Sequence, residues 1–247
     1  MSFNRLLLII LLCIGGVGQS LFATDARPKT LRAEPQQRDD YNWAERHEAV
    51  LARHRLVSPE IVFIGDSITH HWGGEPLGKR RVAPESWDAL FAPSTVSNLG
   101  FGYDYADNAY YRVEQGELDQ IAPRLILINI GTNNLGHRGD SPAVCAAHVV
   151  ALVQLIRTRQ PQAQLMVLGI YPRREPHLRD AIRETNARLA QALTGERITF
   201  VDVGAVLAGD DGLALPRYFR DTVHPNAAGY ARLATELRPW VVQLGAE

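Results

Sequence analysis

Residues 61–69 read Ile61-Val62-Phe63-Ile64-Gly65-Asp66-Ser67-Ile68-Thr69, and the fold follows from how that run is built. Four consecutive apolar residues, with isoleucines flanking Val62 and Phe63, describe a strand buried on both faces, as in a parallel sheet. Gly65 then permits a sharp turn that a side chain would obstruct. Asp66-Ser67 follows at the strand end, where parallel α/β sheets place their ligands. A hydroxyl there is a candidate nucleophile, although the same dipeptide also serves as an ordinary helix cap.

The flanking chain repeats the pattern. Apolar strands are expected at 95–99, 124–130, 164–170 and 198–203, and helices at 41–56, from about 105 to 118, at 142–159, 178–193 and from 226 to about 244. Strands alternating with helices through one chain argue for right-handed βαβ units around one parallel sheet. The expected architecture is a three-layer α/β/α fold with a five-stranded parallel sheet, flavodoxin-like, over residues 41–247. Residues 73–84 read as a loop, and the polar, proline-containing stretch 24–40 as an N-terminal arm or tether.

Length and composition suit one sizeable α/β domain: 247 residues, 46% hydrophobic and 21% charged, with a formal net charge of −1. That balance gives no electrostatic case for nucleic acid or an anionic membrane surface. Arg5, the apolar run 6–14, then Gly15, Gly16 and Gly18 before Ala23 form the pattern of a secretory leader over 1–23, so a secreted or periplasmic protein is expected. The run is short for a bilayer span, so no stable membrane insertion is expected. Leu12 before Cys13 argues against lipidation there. Cleavage would leave Cys145 alone, without an intrachain disulfide partner, and its helical setting suits a buried inert thiol.

Three polar clusters follow three of the strands: Gly65-Asp66-Ser67, Gly100-Phe101-Gly102-Tyr103-Asp104 and Gly131-Thr132-Asn133-Asn134. In a parallel sheet all three lie at the carboxyl edge and can converge on one crevice. Asn133 carries an amide suited to an oxyanion, or it is a turn residue bonding its own backbone. Asp221-Thr222-Val223-His224-Pro225 stands before the last helix. A serine hydroxyl needs a base, histidine titrates in the useful range, and a nearby aspartate orients the imidazole.

Together and in register, these blocks resemble the SGNH (GDSL-type) esterase superfamily, from about residue 43 to 230. The likeness is nearest the branch of platelet-activating-factor acetylhydrolase catalytic subunits and bacterial secreted sugar O-acetylesterases. It rests on Gly65 to Thr69, Asn98-Leu99-Gly100-Phe101-Gly102, Arg112 to Leu118, Gly131 to Asn134 and Asp221 to His224. The resemblance implies Ser67 as nucleophile, His224 as base and Asp221 as its orienter. It also implies an oxyanion site made by the backbone N–H groups of Ser67 and Tyr103 and the side chain of Asn133. Family members often carry glycine where this chain has Tyr103, so that donor survives only if tyrosine adopts the required dihedral, with Gly102 as the nearest substitute. No metal or cofactor is implied, and His70 and His71, being adjacent, lack ligand spacing and are expected at the pocket rim or surface.

The expected substrate is a small-molecule ester, of short acyl chain and with an acetylated sugar foremost; a small lipid ester or thioester is the alternative. Gly102, Trp72, Arg173 and Arg220 are the candidate substrate contacts. Trp72 either walls a sugar site or packs in the core. Lys79, Arg80, Arg81, Arg173, Arg174 and Arg220 either hold a substrate anion or are separately solvated charges. A haloacid-dehalogenase-like phosphatase would need an aspartate at Ile68, and an α/β-hydrolase would need Gly-x-Ser-x-Gly around Ser67. The remaining rival is a non-catalytic carbohydrate- or acyl-binding module on the same fold.

Overall fold

A computed structural model describes residues 27–37 and 41–246; the expected leader lies outside them. Five parallel strands, β1 (Ile61–Gly65), β2 (Val96–Gly100), β3 (Leu125–Asn129), β4 (Gln164–Leu168) and β5 (Ile198–Val201), form one sheet in the order β2-β1-β3-β4-β5. Each strand from β1 to β4 is buried along its whole length. This accounts for the continuous apolar runs, since residues on both faces meet helices.

Alternate side chains of β1 enter two cores. Ile61 and Phe63 pack with Trp87 and Phe91 of α3 (Pro84–Phe91) and with Tyr230, Leu233 and Leu237 of α7 (Ala227–Leu244). Val62 and Ile64 face Ala109 and Val113 of α4 (Ala106–Glu114), Val149 and Leu152 of α5 (Pro142–Arg159), and Leu189 of α6 (Arg179–Ala192). The layers are therefore helices, sheet and helices, as expected, with α1 (Trp43–His54) on the second face through Val50. The strand order reverses between β1 and β3, and their carboxyl ends flank the crevice where such sheets bind ligands.

Several boundaries differ from the sequence reading. The helix expected to run to 118 ends at Glu114, because Gly116 turns the chain at φ 90° and Arg112 folds back onto Glu117. Pro84 does not continue the loop but opens α3, a position where proline's missing N–H costs nothing. A four-residue helix, α2 (Ser67–His70), follows β1 directly, and residues Asn134–Arg138 form a π-helical turn after β3. The arm is seen over 27–37, where Leu31 is buried and Arg32 N–H donates to Asp107 Oδ1 at 2.9 Å. Among the described residues no helix is long and apolar enough to cross a membrane.

Candidate active site

Gly65 ends β1 where a Cβ would stand 2.2 Å from Thr69 Oγ1 and 2.8 Å from the Asn129 carbonyl, so only glycine lets α2 begin so close to β3. Asp66 caps α2 by accepting from Ile68 N–H at 2.9 Å, and Ser67 is its first residue. The dipeptide thus does both things its sequence allows: the aspartate caps and the serine presents its hydroxyl.

Ser67 Oγ lies 2.9 Å from His224 Nε2, across 157 residues of sequence. His224 Nδ1 lies 2.8 Å from Asp221 Oδ2. An ionised carboxylate only accepts, so Nδ1 carries the proton and Nε2 accepts from the serine. The second Asp221 oxygen, Oδ1, accepts from the N–H groups of Val223 (2.8 Å) and His224 (2.7 Å). Burial pushes the Asp221 carboxyl up, but these donors and the imidazole outweigh it and hold it below the usual range. Burial also pushes His224 down, further than Asp221 raises it, with Arg220 and Arg80 adding to the depression. The imidazole is neutral at neutral pH and able to accept a proton.

A cavity of about 480 Å³ opens on this pair, with Tyr41, His70, His71, Lys79, Arg80, Gly102 and Tyr103 among its walls. Tyr103 sits at φ 63°, in the left-handed region, which costs a residue with a Cβ about 1–2 kcal/mol. The dihedral that glycine would supply at this position is thus adopted by tyrosine. Gly102, the alternative donor, has its N–H committed to His70 Nδ1 at 3.2 Å. Asn133 is buried and gives one amide N–H to the Asp104 carbonyl at 3.0 Å, which fixes the amide plane and leaves the second N–H for another acceptor.

The other expected contacts divide. Trp72 is not in the cavity wall: it is 1% exposed, donates from Nε1 to Ser86 Oγ at 2.8 Å and packs on Tyr230 and Phe63. Its register after β1 turns it into the core. Arg173 is buried and bidentate on Glu175 (3.1 and 2.6 Å), with Nη1 on the Thr132 carbonyl at 3.3 Å. It is therefore committed within the protein rather than offered to an anion. Glu175 in turn accepts from Thr222 Oγ1 at 3.1 Å, and Arg174 N–H donates to the Thr222 carbonyl at 3.0 Å, so this group braces the Asp221–His224 loop. Arg220 Nη2 donates to His71 Nδ1 at 3.1 Å at the edge of the site. His71 is at the rim as expected, but His70 is buried in the cavity wall, where burial, Arg46, His71 and Arg112 hold it neutral, at about 2. Nothing in the sequence signals the Glu175–Thr222 and Tyr41–Gly102 contacts, because the partners are 47 and 61 residues apart.

Comparison with known proteins agrees with this geometry. A family model described as GDSL-like lipase/acylhydrolase matches residues 63–232. The chain is 32% identical over 211 residues to human platelet-activating factor acetylhydrolase IB subunit alpha1, covering 84% of this chain and 86% of that protein. It is 31% identical over 227 residues to the rat alpha2 subunit, with 89% and 93% covered. In fold it resembles a GDSL-like lipase from Bacteroides thetaiotaomicron VPI-5482 (TM-score 0.63, 17% identity, 80% of this chain and 97% of that one). It also resembles a carbohydrate acetylesterase from Sinorhizobium meliloti (TM-score 0.58, 17% identity, 74% and 98%). With the family model running from within β1, through the strand-end serine, into the start of the last helix, and relatives aligned along most of its length, the chain belongs to the GDSL-like lipase/acylhydrolase family and is a carboxylic ester hydrolase.

Proposed function

We propose that the protein is a serine esterase that removes short acyl groups, acetyl foremost, from O-acetylated carbohydrate through an acyl-enzyme on Ser67. The continuous Ser67–His224–Asp221 hydrogen-bond chain carries this reading. Ser67 Oγ attacks the ester carbonyl carbon while its proton passes to His224 Nε2. The oxyanion is held by the N–H groups of Ser67 and Tyr103 and by the Asn133 amide. Collapse expels the sugar oxygen, which takes the proton from His224; water then repeats the sequence and releases the acid. Asp221 holds the imidazole tautomer and stabilises the imidazolium.

The cavity sets charged and hydrogen-bonding groups, among them Glu45, Arg46, Lys79 and Arg80, into a lining whose exposed surface is mostly apolar, and those groups support a small polar acceptor. A small lipid ester is the second reading, favoured by the platelet-activating factor acetylhydrolase relatives and by Leu77, 52% exposed at the cavity edge. The leader reading adds a secreted or periplasmic place of action, which N-terminal sequencing of exported protein would establish.

The test is turnover of 4-nitrophenyl acetate by point variants, then of acetylated sugars, short acetyl glycerolipids and acyl thioesters by the parent protein. Ser67→Ala and His224→Ala should fall to near background, Asp221→Asn to an intermediate level and Asn133→Ala least. The scale, taken from the handling of subtilisin's equivalent groups, is roughly 10⁶, 10⁴ and 10²–10³. Undiminished turnover by Ser67→Ala would sink the reading. Preference for the glycerolipid over every acetylated sugar would select the second one.

A further inference from the structure

The geometry points to the N-terminal segment as part of the catalytic apparatus: Gln36 and Tyr41 are positioning residues that pin the two peptide units flanking Tyr103 and aim its N–H at the oxyanion. This rests on the esterase reading above and adds to it a device outside the family's motifs.

The Tyr103 N–H belongs to the same planar unit as the Gly102 carbonyl, so fixing one end fixes the other. Tyr41 Oη–H donates to that carbonyl at 3.2 Å. Burial, followed by the charge of Asp104, pushes the Tyr41 phenol far above its ordinary range, so it remains a donor throughout the working pH range. The next peptide unit is held from the other side of the residue, by Gln36 Nε2–H donating to the Tyr103 carbonyl at 2.7 Å. Gln36 also lies 3.4 Å from Asn108 Oδ1, and that oxygen accepts from Tyr105 N–H at 2.8 Å. Two side chains thus bracket the one Cα at φ 63°. A non-glycine residue keeps such a conformation only where its surroundings over-determine it.

The arm that brings Gln36 there is itself fastened. Thr30 Oγ1 pairs with His148 Nε2 at 2.8 Å, Arg32 N–H with Asp107 Oδ1 at 2.9 Å, and Asn108 Nδ2 donates to the Glu34 carbonyl at 2.9 Å. These partners lie on α4 and α5, the helices that follow the second and third site clusters. Gln36 is not among the residues lining the cavity that holds Ser67. Its loss should therefore act on the transition state and leave substrate binding alone.

On 4-nitrophenyl acetate, with the full chain, Gln36→Ala should lower kcat about tenfold with KM within about twofold, less than the roughly 10²–10³ of an oxyanion donor removed outright. Gln37→Ala, next along the arm and not bonded to Tyr103, should match the parent. In a Tyr103→Gly background, where φ near 63° is readily populated, removing Gln36 should cost less than about threefold, a non-additivity that independent structural damage would not produce. Gln36→Ala within twofold of the parent in kcat, or equal losses in both backgrounds, overturns the proposal. Ser67→Ala serves as the discriminating control. If it is inactive while Gln36→Ala is unaffected, only the pinning falls; if it is active, the esterase reading falls first.

Discussion

In the proposed mechanism a base that must take a proton near neutrality has to be unprotonated at rest, and His224, the proposed base, is held so by burial first and by Arg220 and Arg80 besides. Asp221 opposes this but does not cancel it. The acid limb of kcat/KM, which reports the free imidazole, should therefore lie below the usual histidine range. Arg80 is exposed and has no ion-pair partner among the described residues, so Arg80→Gln removes a cation from the site without stranding a carboxylate. The imidazolium is then less disfavoured, its pKa rises, and the acid limb should move to higher pH with the plateau unchanged. A limb that stays in place would show that Arg80's charge is screened by solvent. Ser67, Asp221 and His224 were legible as residues because each lies in a short motif that fixes its own local geometry. Trp72 and Arg173 were not, because their roles depend on which way a side chain leaves the backbone after a turn.

At the scale of elements, the block from Arg112 to Leu118 shows why a motif need not touch substrate. Arg112, in the last turn of α4, is fully buried, pairing with Asp104 Oδ2 at 3.0 Å and with Glu117, and giving Nη2 to the Leu99 carbonyl at 3.3 Å. Trp43 Nε1 completes the group on Asp104 Oδ1 at 2.8 Å. The guanidinium thus ties the end of β2, the Tyr103 loop and the turn after α4 into one unit. Burial pushes Glu117 up to about 7 even beside Arg112, the mark of a pair whose desolvation is costly and whose half-removal costs more. Glu117→Ala should destabilise the fold by about 3 kcal/mol, the lower end for breaking a buried pair. For a chain of this size that is a fall of about 6–12 °C in Tm, readable by calorimetry; a shift under 2 °C would mean that Asp104 alone suffices for Arg112. Hydrophobic runs made most elements visible in the sequence, while α2, α3 and the turn at Asn134–Arg138 were not, since none of the three is long enough to show a clear period.

The whole molecule solves a problem of distance, since serine and histidine must meet although 157 residues separate them. Alternating strands and helices made the solution readable: right-handed crossovers bring every strand's carboxyl end to one edge, and the β2-β1-β3-β4-β5 order opens a crevice between β1 and β3. What alternation cannot show is how the last helix is tied to the first strand. Tyr230 of α7, six residues after His224, is fully buried, and its hydroxyl donates to the Ile68 carbonyl of α2 at 2.7 Å. That carbonyl lies one residue beyond Ser67, in a helix too short to supply it an internal donor. The bond therefore joins the segment carrying Ser67 to the segment carrying His224. Tyr230→Phe keeps the ring's packing on Trp72 and strands the carbonyl, at a cost of about 1–3 kcal/mol. If the tie also sets the Ser67–His224 distance, kcat should fall with KM nearly constant, by less than the roughly 10²-fold that an ångström's misplacement costs. A lowered Tm with unaltered kcat would make the bond a matter of stability alone, and the alignment of serine and histidine would then belong to the Arg173–Glu175–Thr222 brace on the other side of the loop.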